Sequence, residues 1–121
     1  MESQTLLLTS SQVPGTPVFS PADKEIGSVD ELVVDTNTGK VRYALMSFGG
    51  LLGIGKSHYP IPWASMKWSP ALGGYVTGIT ADQLKNAPDF DAQSWSNRDW
   101  ETRLHKNYGA PSYWETEARS A

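Results

Sequence analysis

The stretch Tyr43–Trp63, YALMSFGGLLGIGKSHYPIPW, decides the predicted fold. Its first part belongs to the run Val41–Phe48, which holds β-branched, aromatic and long apolar residues and contains no strand breaker. Glycines within residues 49–55 then supply the permissive backbone that a chain reversal needs. The second limb alternates large apolar residues on one face, namely Tyr59, Ile61 and Trp63. The stretch therefore predicts a strand, a glycine loop and a second strand.

The segments around this stretch predict further strands. Residues 16–20 and 26–35 are apolar runs that end at turn signals, and the polar reversal at 35–39 predicts that the second run pairs with Val41–Phe48 as a hairpin. Residues 67–69 and 75–77 flank a Pro- and Gly-containing turn and predict another hairpin. We expect a small, mainly β, antiparallel domain over residues 15–90, preceded by an arm or edge strand over residues 1–14.

Residues 91–121 are predicted to form a linker, a helix and an aromatic tail. Before them, Thr80 with Gln83 forms a capping-box pattern that predicts a short helix over residues 81–87. Ser96 with Asp99 predicts the start of a second helix that runs to about residue 108 and ends at a left-handed Gly109. That helix places three apolar residues on one face, Trp100, Leu104 and Tyr108, and His105 on a solvated side.

Composition excludes several classes of function. The 121 residues carry a net charge of −3, and the ten Lys and Arg residues are scattered, so we expect no direct DNA binding. The absence of cysteine excludes disulfides, thiolate metal sites and cysteine nucleophiles. The N-terminal residues resemble neither a signal peptide nor a spanning helix, so the sequence predicts a cytoplasmic protein that contacts membranes only through a partner.

The clearest match to a catalytic motif is the segment 50–57, GLLGIGKS, which satisfies the phosphate-loop pattern. A phosphate loop requires a helix to begin at the Lys, and Pro60 and Pro62 would stop such a helix within its first turns. His58 and His105 lack the spacing of a metal site, and no paired carboxylates or nucleophile motif is present. We therefore expect no enzyme activity, no catalytic residue, no cofactor and no metal.

Several motifs in order resemble the PRC-barrel family: the IG at residues 26–27, D-x-x-T-G-K at 35–40, SFGG-x-LGIG at 47–55 and P-x-PW at 60–63. The YG at 108–109 and the P-x-YW at 111–114 resemble the tail of small stand-alone members. The resemblance implies a small, strongly bent antiparallel β-barrel, similar to the cytoplasmic domain of the photosynthetic reaction-centre H subunit and the C-terminal domain of a ribosome-maturation factor. Both of these dock on other macromolecules.

The expected function is therefore a non-enzymatic interaction or assembly module whose partner is a protein or a second copy of the chain. The alternatives that the resemblance implies are an H-subunit-like accessory in electron transport and an accessory of RNA processing that contacts RNA or ribosomal protein. Large apolar residues in the glycine loop and the tail are the predicted contact residues: Phe48, Leu51, Leu52, Ile54, Trp95, Trp100, Tyr113 and Trp114. The loop residues would plug the barrel end or bind a partner, and the tail would fold back on the barrel or build a homodimer.

Overall fold

The computed structural model describes residues 7–48 and 58–120, and the side chains of residues 119 and 120 are not described. Its described strands form one mixed sheet of six in the order β4-β3-β2-β1-β6-β5. These strands are β1 (Thr16–Phe19), β2 (Glu25–Val34), β3 (Val41–Phe48), β4 (Tyr59–Pro62), β5 (Lys67–Ser69) and β6 (Gly74–Val76). Three helices follow: α1 (Ala81–Asn86), α2 (Arg98–Tyr108) and α3 (Tyr113–Ser120).

The two predicted hairpins are confirmed. β2 and β3 pair antiparallel across the turn at residues 35–40, where the Asp35 carboxylate accepts the backbone N–H groups of Asn37 and Thr38. β5 and β6 also pair antiparallel, and so do β3 and β4 on the two sides of residues 49–57, which lie outside the described residues. β4 is an edge strand, as Pro60 and Pro62 require because a proline cannot donate to a ladder.

The prediction of a purely antiparallel sheet is wrong at one position. β1 pairs antiparallel with β2 on one side but parallel with β6 on the other, with Val18 opposite Tyr75. A parallel pair needs a long connection between its strands, and here everything from β2 to β5 supplies it. β4 and β5 are the two edge strands of the sheet and do not pair with each other. Within residues 7–48 and 58–120, the hydrogen-bonded sheet therefore does not close into a barrel.

The helices α1 and α2 add buried residues to the core. The predicted capping box at Thr80 and Gln83 is present, and α1 buries Leu84. α2 buries Trp100, Leu104 and Tyr108, as their four-residue spacing predicts. Its N-cap is Asn97, one residue later than predicted, because the Asn97 side chain accepts the Trp100 N–H while Ser96 closes a 3₁₀ turn over Ala92–Ser96. α3 is a third helix that the sequence analysis did not separate from the tail.

The core itself joins strand and helix residues. Val18, Val29, Met46 and Ile61 are fully buried in the sheet, and Leu104 of α2 is fully buried against them. The described part of the N-terminal arm, residues 7–14, contains turns rather than a strand, and Val13 from this arm joins the same core. The helices α1 and α2 thus share one hydrophobic core with the sheet.

Candidate functional site around Tyr43

A β-bulge in β3 positions the residues of the candidate site. Val33 of β2 lies opposite Tyr43, whereas Val34 lies opposite Val41, so Arg42 is an extra residue without a partner in β2. A bulge bends its strand and redirects side chains that strict alternation would place on opposite faces. Both Arg42 and Tyr43 consequently reach residues of the C-terminal helices.

Tyr43 is the centre of a buried hydrogen-bond network. Its hydroxyl donates to Glu101 Oε1 at 2.7 Å and lies 2.9 Å from His105 Nε2. The Tyr113 hydroxyl donates to the same Glu101 oxygen at 2.6 Å. Glu101 and His105 are one helical turn apart on α2 and are 8% and 3% exposed, so the strand, α2 and α3 are joined at a site with little water.

The hydrogen bonds constrain where the protons lie. A tyrosine has one hydroxyl proton, and the short distance from the Tyr43 hydroxyl to the carboxylate indicates that Tyr43 donates this proton to Glu101. The Tyr43 oxygen is then the acceptor toward His105, so His105 carries a proton on Nε2 and donates it to Tyr43. Burial raises the pKa of Tyr43, and burial together with the Glu101 hydrogen bond raises the pKa of Tyr113 to about 12. Both hydroxyls therefore stay protonated donors at neutral pH, and the network holds protons in place.

His105 is a buried imidazole, and its prediction as a solvated residue is wrong. Burial lowers its pKa, while the charge of Glu101 and the backbone carbonyls of Pro111 and Ala110 act in the opposite direction. Although these carbonyls influence the ring, Nδ1 meets no partner at hydrogen-bonding distance and angle. The i,i+4 spacing of Glu101 and His105 is typical of a surface ion pair. Both side chains are buried because α2 packs against Tyr43, which lies on a strand far away in sequence.

Arg42 joins the β2–β3 turn to α3. Its Nε and Nη2 donate to Asp35 Oδ2 at 3.0 and 2.8 Å, and its Nη1 donates to Glu117 Oε2 at 2.7 Å. The guanidinium also lies over the Tyr113 ring, 4.0 Å from its centre. These contacts lower the pKa of both carboxyl groups, chiefly through the hydrogen bonds from Arg42. The Arg42 side chain is only 8% exposed, whereas its partners Asp35 and Glu117 are partly exposed.

The predicted tail aromatics gather around this network. The rings of Trp95, Trp100 and Tyr113 all lie within 6.4 Å of the Tyr43 ring. Trp100 is 2% exposed and its indole N–H donates to the Asp89 carbonyl, so its ring belongs to the core. Trp95 is 37% exposed. Trp114 is half-buried, packs against His105 and lies under the guanidinium of Arg98 at 3.9 Å.

The predicted glycine-loop residues are a separate group. Phe48 lies at the end of β3 and packs edge-on against Tyr59, with 5.4 Å between ring centres. Leu51, Leu52 and Ile54 lie outside the described residues, as does the phosphate-loop pattern at 50–57. The first described strand after that pattern is β4, which is antiparallel to β3.

Two clefts adjoin the network, with Arg42 and Tyr113 lining both. One has a volume of about 450 Å³ and apolar walls that include Val41, Trp63 and Pro111. The other has a volume of about 540 Å³ and is lined by Val34 and Trp95 together with polar residues. Their sizes fall within the range typical of ligand pockets, about 300 to 1,000 Å³.

The described residues offer no evident place for a metal ion, since they contain no group of three or more His, Cys, Asp or Glu side chains in a suitable arrangement. His58 lies just before β4 and pairs with Asp30 at 3.0 Å, whereas His105 belongs to the Tyr43 network. Within the same residues, no helix has the length and apolar character needed to cross a bilayer.

A family model, the PRC-barrel domain, matches residues 8–80 of the chain. The chain belongs to the PRC-barrel family. The resemblance carried by the motifs at residues 26–63 is thus confirmed, and the match covers all six described strands of the sheet. It ends before α1, so Glu101, His105 and Tyr113 lie beyond the part that this PRC-barrel protein shares with the family model. No curated protein matches the chain.

Proposed function

We propose that this PRC-barrel protein is a non-enzymatic interaction module that docks on a protein partner or on a second copy of itself. The sheet serves as the scaffold, and apolar side chains at the glycine loop and the tail make the contacts. Membership in the family supports a small interaction module. The Tyr43 network is compatible with the same proposal, because its hydroxyls and carboxylate form hydrogen bonds with one another.

The observation that carries the proposal is the exposed apolar surface beside the tail. Val34 is 49% exposed and Trp95 is 37% exposed, and both line the cleft of about 540 Å³. Arg98 lines the same cleft. Interfaces are enriched in tryptophan and arginine, and their contact energy concentrates in a few such residues beside a pocket. Trp95 is therefore the tail residue that we expect to touch a partner, while Trp100 supports it from within the core.

An affinity purification from the native host tests this surface. The wild-type chain, Val34→Ser and Trp95→Ala serve as baits, and Leu7→Ser is the matched control because Leu7 is 83% exposed and does not line that cleft. We expect both cleft variants to lose a partner that the wild type and the control retain, with circular dichroism showing that each variant is folded. Equal capture by all four chains would remove this surface from the proposal.

The glycine loop is tested by the double substitution Leu51→Ser and Leu52→Ser. If these leucines bind a partner, the variant keeps its melting temperature within a few degrees and loses the partner, because exposed apolar residues contribute little to stability. If they plug the end of the sheet, the variant unfolds, because two buried leucines each contribute about 2 to 5 kcal/mol. Thermal unfolding and the same affinity purification distinguish the two outcomes.

A further inference from the structure

The C-terminal helix α3 is held by polar and ring contacts. None of its described side chains is buried, whereas α2 buries Trp100, Leu104 and Tyr108 in the core. Hydrophobic burial is the main source of stability for most helices in proteins. Tyr113 packs against the edge of the core from a half-buried position, so α3 can leave its position while the buried core residues of α2 stay in place, and we call it the strap.

The contacts of the strap are chemically specific. Tyr113 and Glu117 are four residues apart on one face, and both meet Arg42, the ring by a cation–π contact and the carboxylate by hydrogen bonds. Tyr113 also donates to Glu101, and Trp114 packs under Arg98. Lys40 pairs with Glu117 at 3.2 Å. The surface under the strap thus recognises an aromatic residue followed one turn later by a carboxylate, and we call it the strap cleft (Lys40, Arg42, Tyr43, Arg98, Glu101 and His105).

The connection between α2 and the strap consists of residues 109–112. Gly109 ends α2 in the left-handed conformation, and Pro111 cannot continue a helix. α2 is anchored in the core, so a change in these four residues alone would direct the strap away from its own chain. A second copy carries the same helix, so every contact of the strap cleft can be remade between chains with identical chemistry.

We propose that the strap exchanges between two copies of the chain, so that the strap cleft of one protomer receives Tyr113 and Glu117 of its partner. The proposal rests on the proposed function, in which the chain assembles through protein contacts. Exchange loses no contact of the closed monomer. The balance between the two forms is set by protein concentration and by the conformation of residues 109–112.

Two complementary variants test the exchange. Arg42→Met damages the strap cleft and keeps an intact strap, while Tyr113→Ala with Glu117→Gln damages the strap and keeps an intact cleft. Light scattering after size-exclusion chromatography should give one chain, 13.3 kDa, for each variant alone and twice that mass for the equimolar mixture. Adding Arg42→Met to the strap-damaged chain supplies the control, which should not combine with either parent. A mixture that remains monomeric at a concentration of about 100 µM would overturn the proposal.

A second measurement does not depend on a substitution in the cleft. A photoreactive residue at Thr116, which is exposed, is introduced into otherwise wild-type chain, and ¹⁴N- and ¹⁵N-labelled preparations are mixed before irradiation. Exchange predicts cross-links that join position 116 of a chain with one label to the Lys40–Tyr43 segment of a chain with the other label. If every cross-link joins two sites that carry the same label, exchange is overturned. They would leave the proposed function standing wherever the wild-type chain still captures a different protein from its host.

Discussion

At the scale of single residues, Tyr43 is the side chain that joins the sheet to both C-terminal helices. Its ring contacts the aromatic residues of the tail, and its hydroxyl forms hydrogen bonds with Glu101 and with Nε2 of His105. A buried polar network stabilises a fold when every member is satisfied, and removing one partner leaves the others desolvated without compensation. The single hydroxyl group of Tyr43 is thus expected to contribute substantially to the free energy of unfolding.

Tyr43→Phe tests this role. The change keeps the ring and leaves Glu101 and His105 each with one hydrogen bond fewer in a buried site, so we expect a loss of about 1 to 3 kcal/mol in the free energy of unfolding. Urea denaturation measures it. The matched control is Tyr75→Phe, at a half-buried tyrosine of β6, and we expect a change within about 0.5 kcal/mol there. Equal losses in both variants would contradict the central role of Tyr43.

The pH dependence of stability follows from His105. Its folded-state pKa lies below the ordinary value of 6.5, so the unfolded chain binds more protons as the pH falls through about 6.5, and stability decreases there. A second decrease is expected below about pH 4.5, because the pKa values of Asp35 and Glu117 are also lowered in the folded chain. Both losses have the same sign and occupy different pH windows.

Replacing His105 by Gln should remove the first decrease and keep the second. Denaturation midpoints measured between about pH 7.5 and 5.5 would show a slope for the wild type and a flatter line for the variant. If the slope persists unchanged in His105→Gln, the assignment to His105 is wrong.

At the scale of elements, Gly109 sets the end of α2 and the start of the connection to α3. Its φ is +63°, and an added Cβ would meet no heavy atom within 4 Å, so the cost of Gly109→Ala lies in the backbone alone. We expect a loss of about 1 to 2 kcal/mol, and a smaller loss for Gly109→Asn. Thermal unfolding measures both. Gly78→Ala is the control, because Gly78 has open space and an ordinary φ and should change the melting temperature little.

Local patterns predicted most elements because each depends on residues that are close in sequence. The turn at 35–40, the capping box at Thr80 and the glycine that ends α2 all needed only a few neighbouring residues. The parallel pairing of β1 with β6 and the bulge at Arg42 depend on strands far apart in the chain. No periodicity of two or 3.6 residues encodes them, and the sequence therefore predicted neither.

The candidate site was predicted in part for the same reason. The large aromatics Trp95, Trp100 and Tyr113 stood out by residue type, and they do gather in one place. His105 was assigned to the solvated side of the helix, because an i,i+4 acid–base pair such as that of Glu101 with His105 is usually solvated. Hydrogen bonds from Tyr43 and Tyr113 compensate the burial of Glu101, and Tyr43 lies on a strand far away in sequence, so the local pattern does not show this burial.

At the scale of the whole molecule, the hydrophobic core extends beyond the family match. The match ends at residue 80, yet Trp100, Leu104 and Tyr108 belong to the same core as the sheet. Fully burying a large apolar side chain contributes about 1.5 to 3 kcal/mol, so three of them contribute an amount comparable to the roughly 5 to 15 kcal/mol of a typical domain.

Two truncations test this boundary. We expect a chain that ends at residue 80 to be unfolded or aggregated, because the sheet would expose the surface that α2 covers. A chain that ends at residue 112 loses only α3 and should unfold cooperatively with a lowered midpoint. Circular dichroism and thermal unfolding distinguish the two products. A folded, cooperative 1–80 chain would show that α2 is an addition to the domain.

The position of β1 between β2 and β6 has a consequence for synthesis on the ribosome. Among the described strands, β1 is the first to be made, and one of its edges pairs with β6, which is the last of them. While β3 and β4 are translated, the nascent chain can pair β1 with β2 and β2 with β3. The backbone N–H and C=O groups on the other edge of Val18 and Phe19 stay unpaired until Tyr75 and Val76 have been made. If the ribosome pauses between the synthesis of β1 and that of β6, the unpaired edge of β1 is exposed and accessible to chaperones.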